Sequence, residues 1–400
     1  MLAQDSDVEA EKVRRERRLQ LQLNLGQATV WSEGFAADAT QTAFARAVEI
    51  AATTRNPSQR FTAFHGLWTA AFVRGELAAA RKLAQSFLDE AGAAGRVVEA
   101  GVASRGLALI CYCAGDFAAA RTHAERALEA CGPGRDEEAR QCSGEDIGTV
   151  AMCALSATAW QTGDAPRARE WIEAASRRAA ELDHGASKSM PLAWKAVLEI
   201  LRGDAVAALA AAEALEAHAR LFGLRLFSVT AELSLAWARG RLHKPEAGAR
   251  ELERAVEAVA ATGSRFREPF NQGLLAEFEA EALDLDGALS RVDAALTQAG
   301  NASCDLGFLH RLRGETLSRR DPADPRAEAA LLTALAVTRR QGARSYGLLA
   351  ALCLAKLYQS TNRRVEAYEV LDAALEGFSP TPEFPEIGEA LQLRDALALQ

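Results

Sequence analysis

The sequence has little of what strands and enzyme sheets are built from. Its 400 residues hold 11 prolines, 4 tyrosines and only 6% aromatics. No window alternates apolar and polar residues in the way a half-buried strand requires. An all-β or α/β enzyme is therefore not expected. Lysine is scarce, and a net charge of −8 provides no basic field to hold nucleic acid. No run approaches the ~18 apolar residues that a membrane helix needs. The opening segment, MLAQDSDVEAEKVRRERRLQ, lacks the apolar core of a secretion signal. The chain reads as cytoplasmic, with no membrane partner and no direct nucleic-acid partner.

Signature chemistry is missing as well. There is no Gly-x-x-x-x-Gly-Lys-Ser/Thr phosphate loop, no His-Glu-x-x-His, no Gly-x-Ser-x-Gly and no Cys-x-x-Cys. The seven cysteines include Cys111 and Cys113, which point to different faces of a helix and cannot clamp one zinc. They read as buried apolar fillers. Asp284 and Asp286 lie at a turn, where capping accounts for them. The sequence gives no reason to expect a catalytic residue, a metal or a cofactor.

What is abundant is apolar residues, 49% of the chain, and above all alanine. Alanine is the best helix former and buries little area, which suits many helices packed closely. A search for internal repeats shows why it is there. FVRGELAAARKLA, CYCAGDFAAARTHA, AWQTGDAPRAREWI and EILRGDAVAALAAA align without gaps, with Gly75, Gly115, Gly163 and Gly203 at successive spacings of 40, 48 and 40 residues. An acid follows each glycine, and alanine stands five residues after it, at Ala80, Ala120, Ala168 and Ala208. Glycine at φ > 0 closes a first helix, the acid caps a second, and the alanine sits where the two cross. Small residues also recur seven before the glycine, at Ala108, Ser156 and Ala196, with Trp68 as the exception. Looser copies place turns near His243–Pro245, Asp286–Gly287, Asp321–Pro325 and Asn362–Arg363, with an early pair around Gly34.

A glycine-turn hairpin with a small residue at the crossing resembles the tetratricopeptide repeat, with a longer period and without its aromatic four residues before the turn. The fold expected is all-α: a right-handed superhelical solenoid of about nine tetratricopeptide-like helical hairpins. The array would span residues 17–380, after a charged N-terminal linker or helix at 1–16 and before a C-terminal capping helix within 381–400. Residues 132–148 read as its longest irregular segment.

A narrower likeness covers residues 17 to 378. RRLQLQLNLGQATVWSEGF at 17–35, GLWTAAFVRGELAAARKLA at 66–84, CSGEDIGTVAMCALSATAWQTGD at 142–164, REPFNQGLLAEFEAEA at 267–282 and LHRLRGETL at 309–317 carry it. These segments resemble the C-terminal helical region of bacterial multidomain signalling proteins. There a class III nucleotide cyclase or a DNA-binding domain comes first, then a STAND-type ATPase, then such repeats; maltose-regulator-like transcription factors belong to the same group. In the glycine–acid–glycine motif around Asp146, Glu145 and Ile147 replace the family's usual histidine and proline. The resemblance implies the regulatory portion alone: a non-catalytic binding module coupled to an adjoining or partner cyclase, ATPase or transcription factor.

Candidate binding residues are His65 and Trp68 on an early first helix, Asp146 as cap or ligand contact, and the cluster His310, Arg311, Arg313 and Glu315. Arg311 and Glu315 are i,i+4 neighbours that should interact. Each has an alternative reading as core packing or an ion pair within the repeat. The partner expected is a protein or peptide; the other reading is a small effector sensed in the groove.

Overall fold

A computed structural model describes residues 2–52, 57–182, 184–243 and 245–398. Among these there are twenty helices and no strand. They pair in chain order into nine hairpins: α1 (Leu2–Glu33) with α2 (Asp38–Ala51), α3 (Pro57–Val73) with α4 (Leu77–Ala93), α5 (Val97–Cys113) with α6 (Phe117–Glu129), α8 (Ile147–Gln161) with α9 (Ala165–Ala180), α10 (Gly185–Leu201) with α11 (Ala205–Phe222), α12 (Arg225–Leu242) with α13 (Pro245–Ala261), α14 (Glu268–Glu281) with α15 (Leu285–Ala299), α16 (Leu306–Arg320) with α17 (Pro325–Gln341), and α18 (Arg344–Ser360) with α19 (Arg364–Leu375). The helices α7 (Arg135–Ser143) and α20 (Glu386–Ala398) stand outside the pairs. The chain is an all-α array of helical hairpins.

The turns follow from one backbone arrangement. Gly75, Gly115, Gly163 and Gly203 all have positive φ, between 70° and 92°. The next amide reaches back to a carbonyl five residues earlier, as Asp164 N to Ala159 O at 2.9 Å and Asp204 N to Glu199 O at 3.0 Å. The side chains of Asp116, Asp164 and Asp204 then cap the following helix at Ala119, Arg167 and Ala207. Glu76 makes no such cap and pairs instead with Arg74 at 3.0 Å. Ala80, Ala120, Ala168 and Ala208 are all fully buried.

Two sequence expectations need correction. The segment 132–148 is not irregular: it contains α7, whose first turn carries Asp136, Glu137 and Glu138 where the helix dipole favours negative charge. Its Ala139 is buried with Phe61 and Phe87. The turn expected at Asp286–Gly287 lies at Leu283–Asp284, where Leu283 takes φ +68°, and Asp284 caps α15 through the Gly287 amide. Lys244, in the turn expected near His243, lies outside the described residues.

The chain divides into two compact units. The first comprises Met1–Ile110, Thr122–Ala151 and Val259–Phe266. One of its cores gathers Leu19, Leu23, Phe44, Ala47 and Ala63; another gathers Phe61, Phe87, Val102, Ala130 and Ile147. Trp68, which breaks the small-residue pattern, is fully buried, and Gly106 makes room for it. The second unit comprises Cys111–Arg121, Met152–Ala258 and Arg267–Gln400. Its helices approach closely over alanine and glycine, as at Ala196, Ala211 and Ala212, and where Gly240 meets Gly248.

Candidate functional site

In the first unit, one side chain from each of three successive repeats converges. His65 lies on α3, Arg105 on α5, and Glu145 just before α8, at successive offsets of 40 residues. The guanidinium of Arg105 donates to Glu145 Oε2 at 2.7 Å and lies 3.0 Å from His65 Nε2. It also covers the ring of Trp68 at 5.4 Å, and His65 meets Trp68 edge-on. The Arg105 side chain is only 5% exposed, whereas Glu145 is 28% exposed, so the site opens to solvent at its rim. Arg105 Nε and Trp68 Nε1 are buried without hydrogen-bond partners.

Burial sets the charge carried by this cluster. Burial, with Arg105 close by, lowers the His65 pKa from 6.5 to about 3. The imidazole is therefore neutral at pH 7 and far from the pKa that general acid–base work needs. Asp146 is buried beside the site, and its carboxylate accepts from the amide and hydroxyl of Thr149, at 2.7 and 2.8 Å. That is the cap of α8. Of the residues singled out from the sequence, His65 and Trp68 lie in this cluster and Asp146 lies beside it. Arg105 and Glu145 were missed, although both lie on the 40-residue register of His65.

In the second unit a charged row crosses successive first helices. Arg241 of α12 pairs with Glu277 of α14 at 2.9 Å and also with Glu281. Glu277 pairs with Arg311 of α16 at 2.7 Å, and Arg311 with Glu315 at 2.7 Å. The thiol of Cys353 on α18 donates to Glu315, and Lys356 pairs with Glu389 of α20 at 2.7 Å. Burial pulls the Arg311 guanidinium down, but Glu315 and Glu277 outweigh it and hold its pKa above the ordinary value. Burial, then Glu315, pushes the Cys353 thiol up to about 12.

The four-residue cluster expected on α16 is split by the helix. Arg311 and Glu315 join the row, whereas Arg313 turns toward α15 and pairs with Asp293 at 2.7 Å. His310 lies on the Arg313 side, its pKa lowered first by burial and then by Arg313. Gly314 sits where α16 crosses α17; a Cβ there would lie 2.6 Å from Leu331 Cγ. Among the described residues no group of three or more His, Cys, Asp or Glu side chains is placed to hold a metal. No described helix is long and apolar enough to cross a membrane.

No protein-family model matches the sequence, and no curated relative does either. Solved structures do show similarity. The apo form of the quorum sensor NprR from B. thuringiensis is 14% identical, with a TM-score of 0.42 over 62% of this chain and 70% of that one. IFIT1, a monomeric mutant with Gppp-AAAA, is 14% identical, with a TM-score of 0.41 over 89% and 90%. The P58(IPK) TPR domain is 13% identical, with a TM-score of 0.26 over 94% and 98%. The fold assignment here rests on the hairpin geometry of the chain itself.

Proposed function

We propose that the chain is a non-catalytic, tetratricopeptide-like binding module that recognises a protein or peptide partner along its first-helix rows. Its output would be a linked or partner nucleotide cyclase, ATPase or transcription factor, as the sequence resemblance implies. The observation that carries this reading is the Arg105 site. A buried guanidinium is presented between two partly exposed polar side chains, each from a different repeat. Arginine suits planar hydrogen-bonding groups and stacks on aromatic faces. The Arg105→Lys substitution keeps the charge and removes the planar fork and its stacking face.

The second reading, a small-effector sensor, draws on the same residues: the neutral His65 and the Trp68 ring are chemistry that a small molecule could also use. One experiment separates the two. Full-length wild type and Arg105→Lys, both checked for helicity, are immobilised and challenged with extract of the producing cells. The melting temperature of each is measured in parallel against a metabolite panel. A protein retained by wild type and lost from Arg105→Lys supports the proposal. A metabolite that raises the melting temperature by mass action, with no such protein, supports the sensor. A partner retained equally by both chains would show that the first-helix row is not the binding surface.

A further inference from the structure

The first helix carries two different faces. Along α1, Leu19, Leu23, Gly26 and Val30 fall three or four residues apart and pack into the first unit. Leu19 and Leu23 are buried with Phe44 and Ala47, and a Cβ at Gly26 would lie 2.9 Å from the Phe44 ring. The Gln59 amide at the start of α3 donates to Gln20 at 3.0 Å, which sets the level at which α3 begins. Residues 10–18 run on past that level, about 13 Å of helix at 1.5 Å per residue, and every one is at least partly exposed.

The opposite face holds a second stripe with the same spacing: Arg14, Arg17, Arg18, Leu21 and Leu25. Leu21 is 60% exposed and Leu25 48%, and Arg17 and Arg18 are exposed as well. Arg14 and Arg15 share one carboxylate, Glu11, at 3.3 and 3.7 Å. Residues 12–18 hold five basic side chains and one acid, Glu16, on a chain whose net charge is −8. The total charge therefore conceals a local positive field on the projecting turns.

The order of residues along this stripe decides what fits it. In a helix that lies on a lipid surface, basic residues flank the apolar face. Here they precede the leucines in the same stripe, so a flat bilayer would have to take up Arg14 and Arg17 at the depth of Leu21. Duplex nucleic acid would meet the arginines but leave Leu21 and Leu25 in water. A second helix matches both halves, with carboxylates opposite the arginines and apolar side chains opposite the leucines. We propose that this outer face of α1 docks an acidic amphipathic helix of a partner protein. The face shares no residue with the Arg105 cluster, so one can bind a partner without the other.

The test uses the full-length protein and two labelled synthetic helices of three heptads. One carries glutamate and the other lysine at the positions that face Arg14, Arg17 and Arg18, and both continue with leucine. Fluorescence anisotropy is expected to show the glutamate helix binding at least about ten-fold more tightly, with the difference shrinking as salt rises. An Arg14→Glu, Arg17→Glu, Arg18→Glu variant should reverse the preference, which loss of fold could not do. Leu21→Ser with Leu25→Ser should weaken the glutamate helix at least about three-fold. Equal affinity for the two helices, or none for either, would overturn the proposal. So would binding to phosphatidylglycerol vesicles or duplex DNA in place of the glutamate helix, or a dimer in light scattering that Leu21→Ser dissolves.

Discussion

The Ser156 hydroxyl donates to the carbonyl oxygen of Ala168 at 2.7 Å, joining α8 to α9 at their crossing. Ser156 is seven residues before Gly163 and Ala168 is five after it, so the turn and the crossing form one unit of packing. A larger side chain at position 168 has nowhere to go. Ala168→Leu is expected to destabilise the array by about 1–3 kcal/mol, the usual range for overpacking. The exposed Ala79 supplies the control, and Ala79→Leu should stay within about 0.5 kcal/mol of wild type in urea unfolding. Similar losses at both sites would mean that alanine is there for helix propensity alone.

The turn acids should separate by chain length. Asp204 accepts from the Ala207 amide at 3.0 Å, whereas Glu76 makes no cap. Asp204→Ala is expected to cost about 1 kcal/mol, as capping residues typically do. Glu76→Ala removes an ion pair in which Glu76 is 40% exposed and should cost less, about 0.5 kcal/mol or below. Denaturation midpoints of the two variants test this order.

Acid should weaken the first unit through His65. Its pKa falls from 6.5 to about 3 because burial and Arg105 both disfavour the imidazolium. Between those two values the unfolded chain binds the proton and the folded chain does not. The stability gained by keeping His65 neutral is therefore complete above pH 6.5 and is lost as pH falls toward 3. Melting temperatures at pH 7, 5 and 4 should fall less steeply for His65→Gln than for wild type. Parallel slopes would contradict this assignment.

The α16 arginines should differ sharply despite being two residues apart. Arg311 is 13% exposed and held by Glu277 and Glu315, while Arg313 is 30% exposed and paired with an Asp293 that is 54% exposed. Arg311→Ala leaves Glu315 without its arginine and Glu277 with Arg241 alone, and should cost about 3 kcal/mol, in line with breaking a buried pair. Arg313→Ala should cost at most about 1 kcal/mol, as exposed pairs do. Chemical denaturation of both variants provides the comparison.

Much of the fold was legible because four hairpins carry a glycine turn, an acid and an alanine in fixed register. One later turn was harder to see: Leu283 takes the left-handed conformation without glycine, so the expected marker is missing, whereas Asn362, a residue that tolerates that region, marked its own turn. The helix α7 was hidden because its composition is that of a loop, and Ala139, which it buries against Phe61 and Phe87, belongs to no local period. His65 and Trp68 were identifiable, yet Arg105 looked like one more arginine among forty. Only the 40-residue offset distinguishes it.

The first-helix row around Arg105 is proposed to contact a partner protein. A photo-crosslinking amino acid placed at position 65 of the full chain, in the producing cells, tests it most directly. The same residue at position 82, exposed on α4, serves as the comparison. A discrete protein adduct is expected from position 65, absent from position 82 and diminished when Arg105→Lys is added. The same adducts from both positions, or none from position 65 in folded protein, would contradict it.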